Sequence, residues 1–141
     1  YAQKSPIIVH QEAVMLSPEE PAFHTSACMV WSNANMASAC RDIESLVGSA
    51  FAVPLGDLRG VNRGSPEVAF ARQVAMYLAQ VELSLSLTMV GAQFGRDRTT
   101  VAHACGRVED KRDDPALDLA LFCLTSAIAR HHRVLGVLVA Q

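Results

Sequence analysis

Apolar side chains between residues 35 and 51 recur at helical spacing and form one stripe, which predicts a first amphipathic helix. Asn33 or Asn35 can cap the start of this helix, because an amide oxygen there can accept from an unpaired backbone N–H group. Pro54 and Gly56 are expected to end the helix. The stripe consists of Met36, Ala39, Cys40, Ile43, Leu46, Val47, Ala50 and Phe51.

A second long helix is predicted over residues 67–83, after a loop at residues 59–66. The glycines and arginines of this loop predict a flexible and basic segment. Helical spacing places four apolar side chains of the second helix on its inward face, namely Val74, Tyr77, Leu78 and Val81.

Residues 85–105 have the pattern of two short helices joined by a tight turn. Ser86 can cap the first helix, and Gly95 suits the left-handed backbone that ends it. The carboxylate of Asp97 can cap the second helix through the amides of residues 99 or 100. Two elements of this kind, at a sharp angle, form a helix-turn-helix.

Each of these two helices has one face that is expected to be buried. The buried positions are Leu87, Val90, Gly91 and Phe94 in the first helix, and Val101, Ala104, Cys105 and Val108 in the second. The opposite face of the second helix carries Arg98, Thr99, Ala102 and His103. Donors, acceptors and a methyl group at the tip of a helix are the groups that recognise base edges in the major groove of DNA.

The two ends of the chain are less regular. Prolines at positions 6, 18 and 21 interrupt residues 1–34, which leaves two interpretations: a disordered leader, or a helical extension that packs on the core or on a partner. Asp114 and Pro115 begin a last helix in the segment 113–141. Its apolar stripe either covers the domain's own core or pairs with another chain. The stripe contains Leu117, Leu121, Leu124 and Ile128.

Composition favours one helical domain. Of its 141 residues 50% are hydrophobic, which is enough to form a core. Only 6% are aromatic, which favours helices over a sheet. Its four cysteines show no CxxC spacing, which favours reduced, buried thiols in a cytoplasmic protein. No apolar run is long enough to span a membrane.

The net charge of −2 hides an asymmetry along the chain. Residues 59–112 carry eight basic and five acidic groups, a net charge of +3, whereas residues 1–58 carry two basic and six acidic groups, or −4. The positive segment is the one that contains the predicted helix-turn-helix, as expected if this segment contacts nucleic acid.

The stretch Gly95-Arg96-Asp97-Arg98-Thr99-Thr100-Val101-Ala102-His103-Ala104-Cys105 resembles a signature of the bacterial replication initiator DnaA family, Gly-Gly-Arg-Asp-His-Thr-Thr-Val-x-His-Ala. Further blocks at residues 43–51, 57–60 and 69–79 are similar to this family in order and spacing, so the resemblance covers roughly residues 35–112. It implies an all-α fold: a helix-turn-helix domain of the DnaA C-terminal, Trp-repressor-like type, with extra N- and C-terminal helical segments.

The resemblance also implies which residues contact double-stranded DNA. Arg98 stands where the family has histidine, which predicts a changed or shifted target sequence. Carried over by motif, Arg63 is expected in the minor groove, Arg72, Gln73 and His103 at phosphates, Leu87 and Thr88 at the groove edge, and Arg96, Asp97, Arg98, Thr99 and Thr100 at base edges or positioning them.

Some positions depart from the family. Gln80 replaces a usual lysine, and Glu67 and Phe70 stand where the family has uncharged and basic residues. These departures keep open an alternative, in which the helix-turn-helix is a scaffold and the protein acts mainly by binding a protein partner.

The sequence lacks the signatures of several other chemistries. It has no GxxxxGK[ST] phosphate loop, no nucleophile motif and no zinc spacing, so we expect no enzyme activity, no nucleotide, no metal and no cofactor. The predicted function is sequence-specific DNA binding without ATPase activity, by a nucleoid-associated homodimer that regulates transcription and, second, replication initiation.

Overall fold

The computed structural model describes residues 32–139, with side chains as far as residue 132. Predictions for residues 1–31, including the leader, lie outside this range. Six helices and no strand occur in the described range, which confirms the predicted all-α class. The helices are α1 (Asn33–Phe51), α2 (Leu55–Leu58), α3 (Pro66–Glu82), α4 (Leu87–Phe94), α5 (Arg98–Lys111) and α6 (Pro115–Val139).

Helix α1 begins slightly earlier than its pattern predicts. The Ser32 hydroxyl accepts from the backbone N–H of Asn35 at 3.2 Å, so Ser32 is the cap and the predicted caps lie inside the helix. The helix ends at Phe51, and the residue after it, Ala52, has a left-handed backbone with φ 53° and ψ 42°. Ala50 lies in the last turn of α1 and is exposed, although the predicted stripe included it.

A single helical turn, α2, follows Pro54 and was not predicted. It places Leu58 in the core, and the residue after it, Arg59, donates through Nε to the carboxylate of Glu44 on α1. The side chain of Glu44 is 9% exposed, so this ion pair holds α2 against α1 in a partly desolvated position.

Helix α3 is the central element, and it packs against each of the other five described helices. Its N-terminus is capped by Ser65, whose hydroxyl accepts from Val68 N–H at 3.3 Å. Of its predicted inward positions, Val81 is half-buried. The other three, Val74, Tyr77 and Leu78, are at most 1% exposed.

Phe70 has a role in packing. Its ring meets Phe51 edge to face, with centroids 6.0 Å apart, and the ammonium of Lys111 lies 4.3 Å from its centroid. Phe70 thus joins the ends of α1, α3 and α5, which accounts physically for a large apolar side chain at this position.

Helix α6 covers the domain. Leu121, Leu124 and Ile128 are buried in the same core as α1 and α3. Further along, His131 Nε2 lies 3.1 Å from a carboxylate oxygen of Asp42 on α1. In the described range, no helix is both long and apolar enough to cross a bilayer.

A chain of hydrogen bonds and ion pairs links helices α3, α5 and α6. The buried Tyr77 hydroxyl on α3 donates to Glu109 on α5, and Arg112 pairs with Glu109 at 3.5 Å and with Asp118 on α6 at 2.8 Å. Burial, followed by the Glu109 acceptor, raises the pKa of the Tyr77 phenol.

Replacement of Tyr77 by phenylalanine is expected to lower the free energy of unfolding by about 1 kcal/mol at neutral pH. Since the folded pKa lies above the unfolded value of about 10, the contribution of the neutral phenol is fully present below that pH and is lost as the pH rises above it. Denaturant titrations at neutral and alkaline pH should therefore show a steeper alkaline loss of stability in the wild type. Equal losses in both proteins would contradict the assignment.

Candidate nucleic-acid interface

The turn between α4 and α5 forms as predicted. Ser86 caps α4 by accepting from Met89 N–H at 3.2 Å, and Gly95 ends it with φ 63° and ψ 39°. The chain then folds back, because Arg96 N–H donates to the Gly91 carbonyl at 2.9 Å. A Cβ at Gly91 would lie 2.4 Å from the Arg96 carbonyl oxygen, so this close approach requires glycine.

Asp97 caps α5 as predicted. Its Oδ1 accepts from Thr100 N–H at 2.8 Å, and its Oδ2 accepts from the Thr100 hydroxyl at 3.1 Å. These hydrogen bonds stabilise the ionised form and lower the pKa of the Asp97 carboxyl. The Thr100 hydroxyl therefore already donates within the protein, which leaves its methyl group and its lone pairs for an external contact.

The two faces of α5 have the predicted polarity. Val101, Ala104 and Val108 are at most 1% exposed, whereas Arg98, Thr99, Ala102 and His103 are all exposed. Cys105 is half-buried, and burial together with nearby Glu109 raises the pKa of its thiol to about 11. The first turn of α5 thus presents a guanidinium and a threonine to solvent on a helix fixed to the core.

A basic groove adjoins this exposed turn, between α5, the N-terminal half of α3 and the loop after α2. Four guanidinium groups and one imidazole line it, and no carboxylate does so in the described range. Such a groove concentrates positive potential along a path that a phosphate backbone can follow. Its lining residues are Val61, Arg63, Ala69, Arg72, Gln73, Met76, Arg96, Thr100, His103 and Arg107.

Six of the eleven residues predicted to contact DNA line this groove: Arg63, Arg72, Gln73, Arg96, Thr100 and His103. Asp97, Arg98 and Thr99 adjoin it along the chain at the start of α5. Leu87, which is half-buried against the core, and the exposed Thr88 begin α4 and do not line the groove. The roles of all eleven residues in DNA contact stay predictions.

Arg107 is a groove residue that the sequence motif did not predict. It is exposed and lines the groove one turn beyond His103. The signal was present in the sequence, because Thr100, His103 and Arg107 stand at i, i+3 and i+7 and so share one helical face. The family motif ends before residue 107 and therefore gives it no role.

Arg72 is buried, with 6% of its surface exposed, and it acts on the backbone of the preceding segment. Its Nε donates to the Leu58 carbonyl at 2.9 Å, its Nη2 to the Asp57 carbonyl at 2.8 Å and its Nη1 to the Arg63 carbonyl at 3.3 Å. Burial and then the charge of Arg96 lower the pKa of this guanidinium.

Arg96 holds the same segment from the other side, since its Nη2 donates to the Gly60 carbonyl at 3.0 Å. The predicted loop at residues 59–66 is thus irregular up to Ser65, and two arginines bond its backbone to α3 and to the α4–α5 turn; its flexibility stays a prediction. The exposed side chain of Arg63 projects from this fastened segment.

Comparison with known proteins agrees with this architecture. Residues 40–108 match the family model described as bacterial dnaA protein helix-turn-helix. The chain is 46% identical over 65 residues to the chromosomal replication initiator protein DnaA 1 of Protochlamydia amoebophila, covering 46% of this chain and 14% of that protein.

Two further relatives show the same pattern. Chromosomal replication initiator protein DnaA 2 of Chlamydia muridarum is 44% identical over 71 residues, or 50% of this chain and 15% of that protein. The DnaA protein of Nostoc punctiforme is 39% identical over 77 residues, or 54% of this chain and 17% of that protein. The chain thus spans about one sixth or less of the length of these curated relatives.

Proposed function

We propose that this protein binds double-stranded DNA sequence-specifically through the start of α5, because residues 40–108 match the family model of the bacterial dnaA protein helix-turn-helix. One observation carries the proposal: the exposed residues Arg98 and Thr99 lie next to the basic groove, which is lined by four arginines and no carboxylate. Base edges would meet the tip of α5 in the major groove, while the groove beside it follows the phosphates.

Selection of bound sequences from a random duplex pool tests this directly. The expected result is one enriched motif, recovered again by gel shift with the purified full chain. The DnaA 1 protein of Protochlamydia amoebophila, selected in parallel, is the comparison, because Arg98 replaces the family's histidine. A motif that differs near the contact of residue 98 supports a changed target, and an identical motif contradicts that change. No enrichment contradicts sequence-specific binding.

Replacement of Arg107 by alanine is expected to weaken binding to all DNA sequences by the same factor. Removing one contact with a phosphate should make the slope of log K against log salt shallower by about 0.9. Titrations at several salt concentrations should show this change for Arg107→Ala and for Arg63→Ala. Arg130→Ala, which removes an exposed arginine from α6, is the matched control and should leave the slope unchanged. An unchanged slope in Arg107→Ala would exclude this contact.

The biological role proposed for this binding is regulation of transcription, with modulation of replication initiation second, and without ATP hydrolysis. Relatives named as chromosomal replication initiators support a link to replication, and the small matched domain supports occupancy of a site. A genome-wide occupancy map should place the protein upstream of genes in the first case and at the origin in the second. Occupancy unrelated to either would contradict both roles.

We also propose that the protein binds DNA as a homodimer. The modest basic charge predicts few phosphate contacts per subunit, so two half-sites bound by one dimer would share the cost of association. The outer side of α6 supports this, since Leu119 is 63% exposed. Sedimentation at micromolar concentration should show a dimer, and Leu119→Lys should weaken it, whereas Leu55→Lys on α2 should not. A monomer throughout this range would contradict the proposal.

A further inference from the structure

We infer that Arg72 and Arg96 are positioning residues: together they clamp the backbone of residues 57–63 and so hold Arg63 at the rim of the basic groove. This inference rests on the proposed function for its consequence in DNA binding, but the clamp itself can be tested in the absence of DNA.

The chemistry of the Arg72 site favours a clamp. The carbonyls of Asp57 and Leu58 belong to the last turn of α2, and that of Asp57 also accepts from Gly60 N–H at 3.2 Å. A guanidinium there donates to both carbonyls, lies at the negative end of the helix and carries a fixed fork of donors. Its third hydrogen bond, to the Arg63 carbonyl, fastens the other end of the segment.

Two like charges converge on this one short segment. The charge of Arg96 contributes to the lowered pKa of Arg72, so the two guanidinium groups lie close enough to disfavour each other. Backbone carbonyls with their partial negative charges offset this repulsion, through Gly60 for Arg96 and through residues 57, 58 and 63 for Arg72. The backbone carbonyls of the segment are therefore the acceptors that hold both arginines in place.

The clamp also sets the geometry of the groove. Arg63 carries an exposed side chain on a backbone whose carbonyl is bonded to Arg72, so the point from which this side chain projects is set before DNA arrives. A buried Arg72 has three of its donor bonds occupied within the protein, which suits a residue that acts through the loop rather than as a mobile contact with phosphate.

Lysine at position 72 separates these two roles, because it keeps the charge but loses the fork. Under the clamp, Arg72→Lys should accelerate hydrogen exchange of the Leu58, Arg59 and Gly60 amides, which bond within α2 and its end, by about tenfold or more in DNA-free protein. Amides in the middle of α5 should change less. Arg107→Lys makes the same substitution at an exposed groove arginine and should leave the loop amides unchanged.

Arg96→Lys is the second variant, in case Arg72→Lys does not fold. It removes only the bonds of a half-buried side chain and should accelerate exchange at Gly60 and its neighbours. Unchanged exchange at these amides in the folded variants, or acceleration by one common factor across the domain, would overturn the clamp whether or not the protein binds DNA.

The consequence for DNA is tested by a double-mutant cycle on the selected duplex. Arg72→Lys should weaken binding about as much as Arg63→Ala does, and its effect should shrink towards none once Arg63 is already alanine. Independent, multiplicative effects of the two substitutions would instead make Arg72 a separate phosphate contact. If the wild type binds no DNA, the proposed function fails, while the exchange result still decides the clamp.

Discussion

Arg98→Ala and Thr99→Ala are each expected to reduce affinity for the selected duplex by about 5- to 150-fold, the range for loss of about 1–3 kcal/mol of base discrimination. Both side chains are exposed on the first turn of α5, whose position is fixed by the Asp97 cap and by the buried residues Val101 and Ala104. Truncation should therefore remove contacts with bases without changing the fold.

The pattern across sequences is the sharper measurement. A residue that reads a base loses discrimination at one position of the motif, whereas a phosphate contact weakens every duplex by the same factor. Affinities should be measured for the selected duplex and for all substitutions at each position, with Arg130→Ala as the control. Uniform weakening by Arg98→Ala would reassign it to the phosphates, and unchanged affinity in both variants would remove α5 as the reading element.

Arg98→His offers a test of direction. If the arginine changed the target by bonding a guanine through its fork of donors, the histidine variant should lose preference at that base pair. It should move towards the motif selected by the DnaA 1 protein used for comparison. Retention of the original motif by Arg98→His would show that residue 98 does not set specificity.

Local rules predicted the elements that position α5, because those rules depend on near neighbours. The caps at Ser86 and Asp97 each satisfy an amide three residues away, and the left-handed Gly95 needs no distant partner. Helical spacing likewise predicted the buried face of α5. In contrast, the predicted cap of α1 was Asn33 or Asn35, whereas Ser32 is the cap in the structure. Several adjacent residues there have side chains that can cap a helix, so the sequence pattern did not select one of them.

Contacts between distant residues were not predictable in this way. Arg72 has the character of a surface cation in the sequence, and only the fold brings the end of α2, fourteen residues earlier, against its guanidinium. Phe70 stands where the family has a basic residue, but it packs on Phe51 and beneath Lys111. In both cases the residue type alone suggests an environment different from the one that tertiary packing provides.

The largest expected effect on stability is that of Gly91→Ala, which should lower the free energy of unfolding by about 2–3 kcal/mol. The added methyl group would lie 2.4 Å from the Arg96 carbonyl oxygen, well inside van der Waals contact. Relief would require the turn to move away from α4, which would also strain the hydrogen bond from Arg96 N–H to Gly91. For a small domain with about 5–15 kcal/mol in total, this is a large fraction.

Gly106→Ala is the matched control, because it makes the same substitution in the neighbouring helix α5. Nothing lies within 4 Å of the added Cβ at this exposed position, so alanine should stabilise the helix by about 0.5–1 kcal/mol. Urea titrations should thus show opposite shifts for the two variants. Because the turn also positions Arg96 and the first residues of α5, Gly91→Ala should weaken DNA binding even where the variant remains folded. If Gly91→Ala were as stable as the wild type, the Arg96 carbonyl would have to lie farther from residue 91 than in this structure.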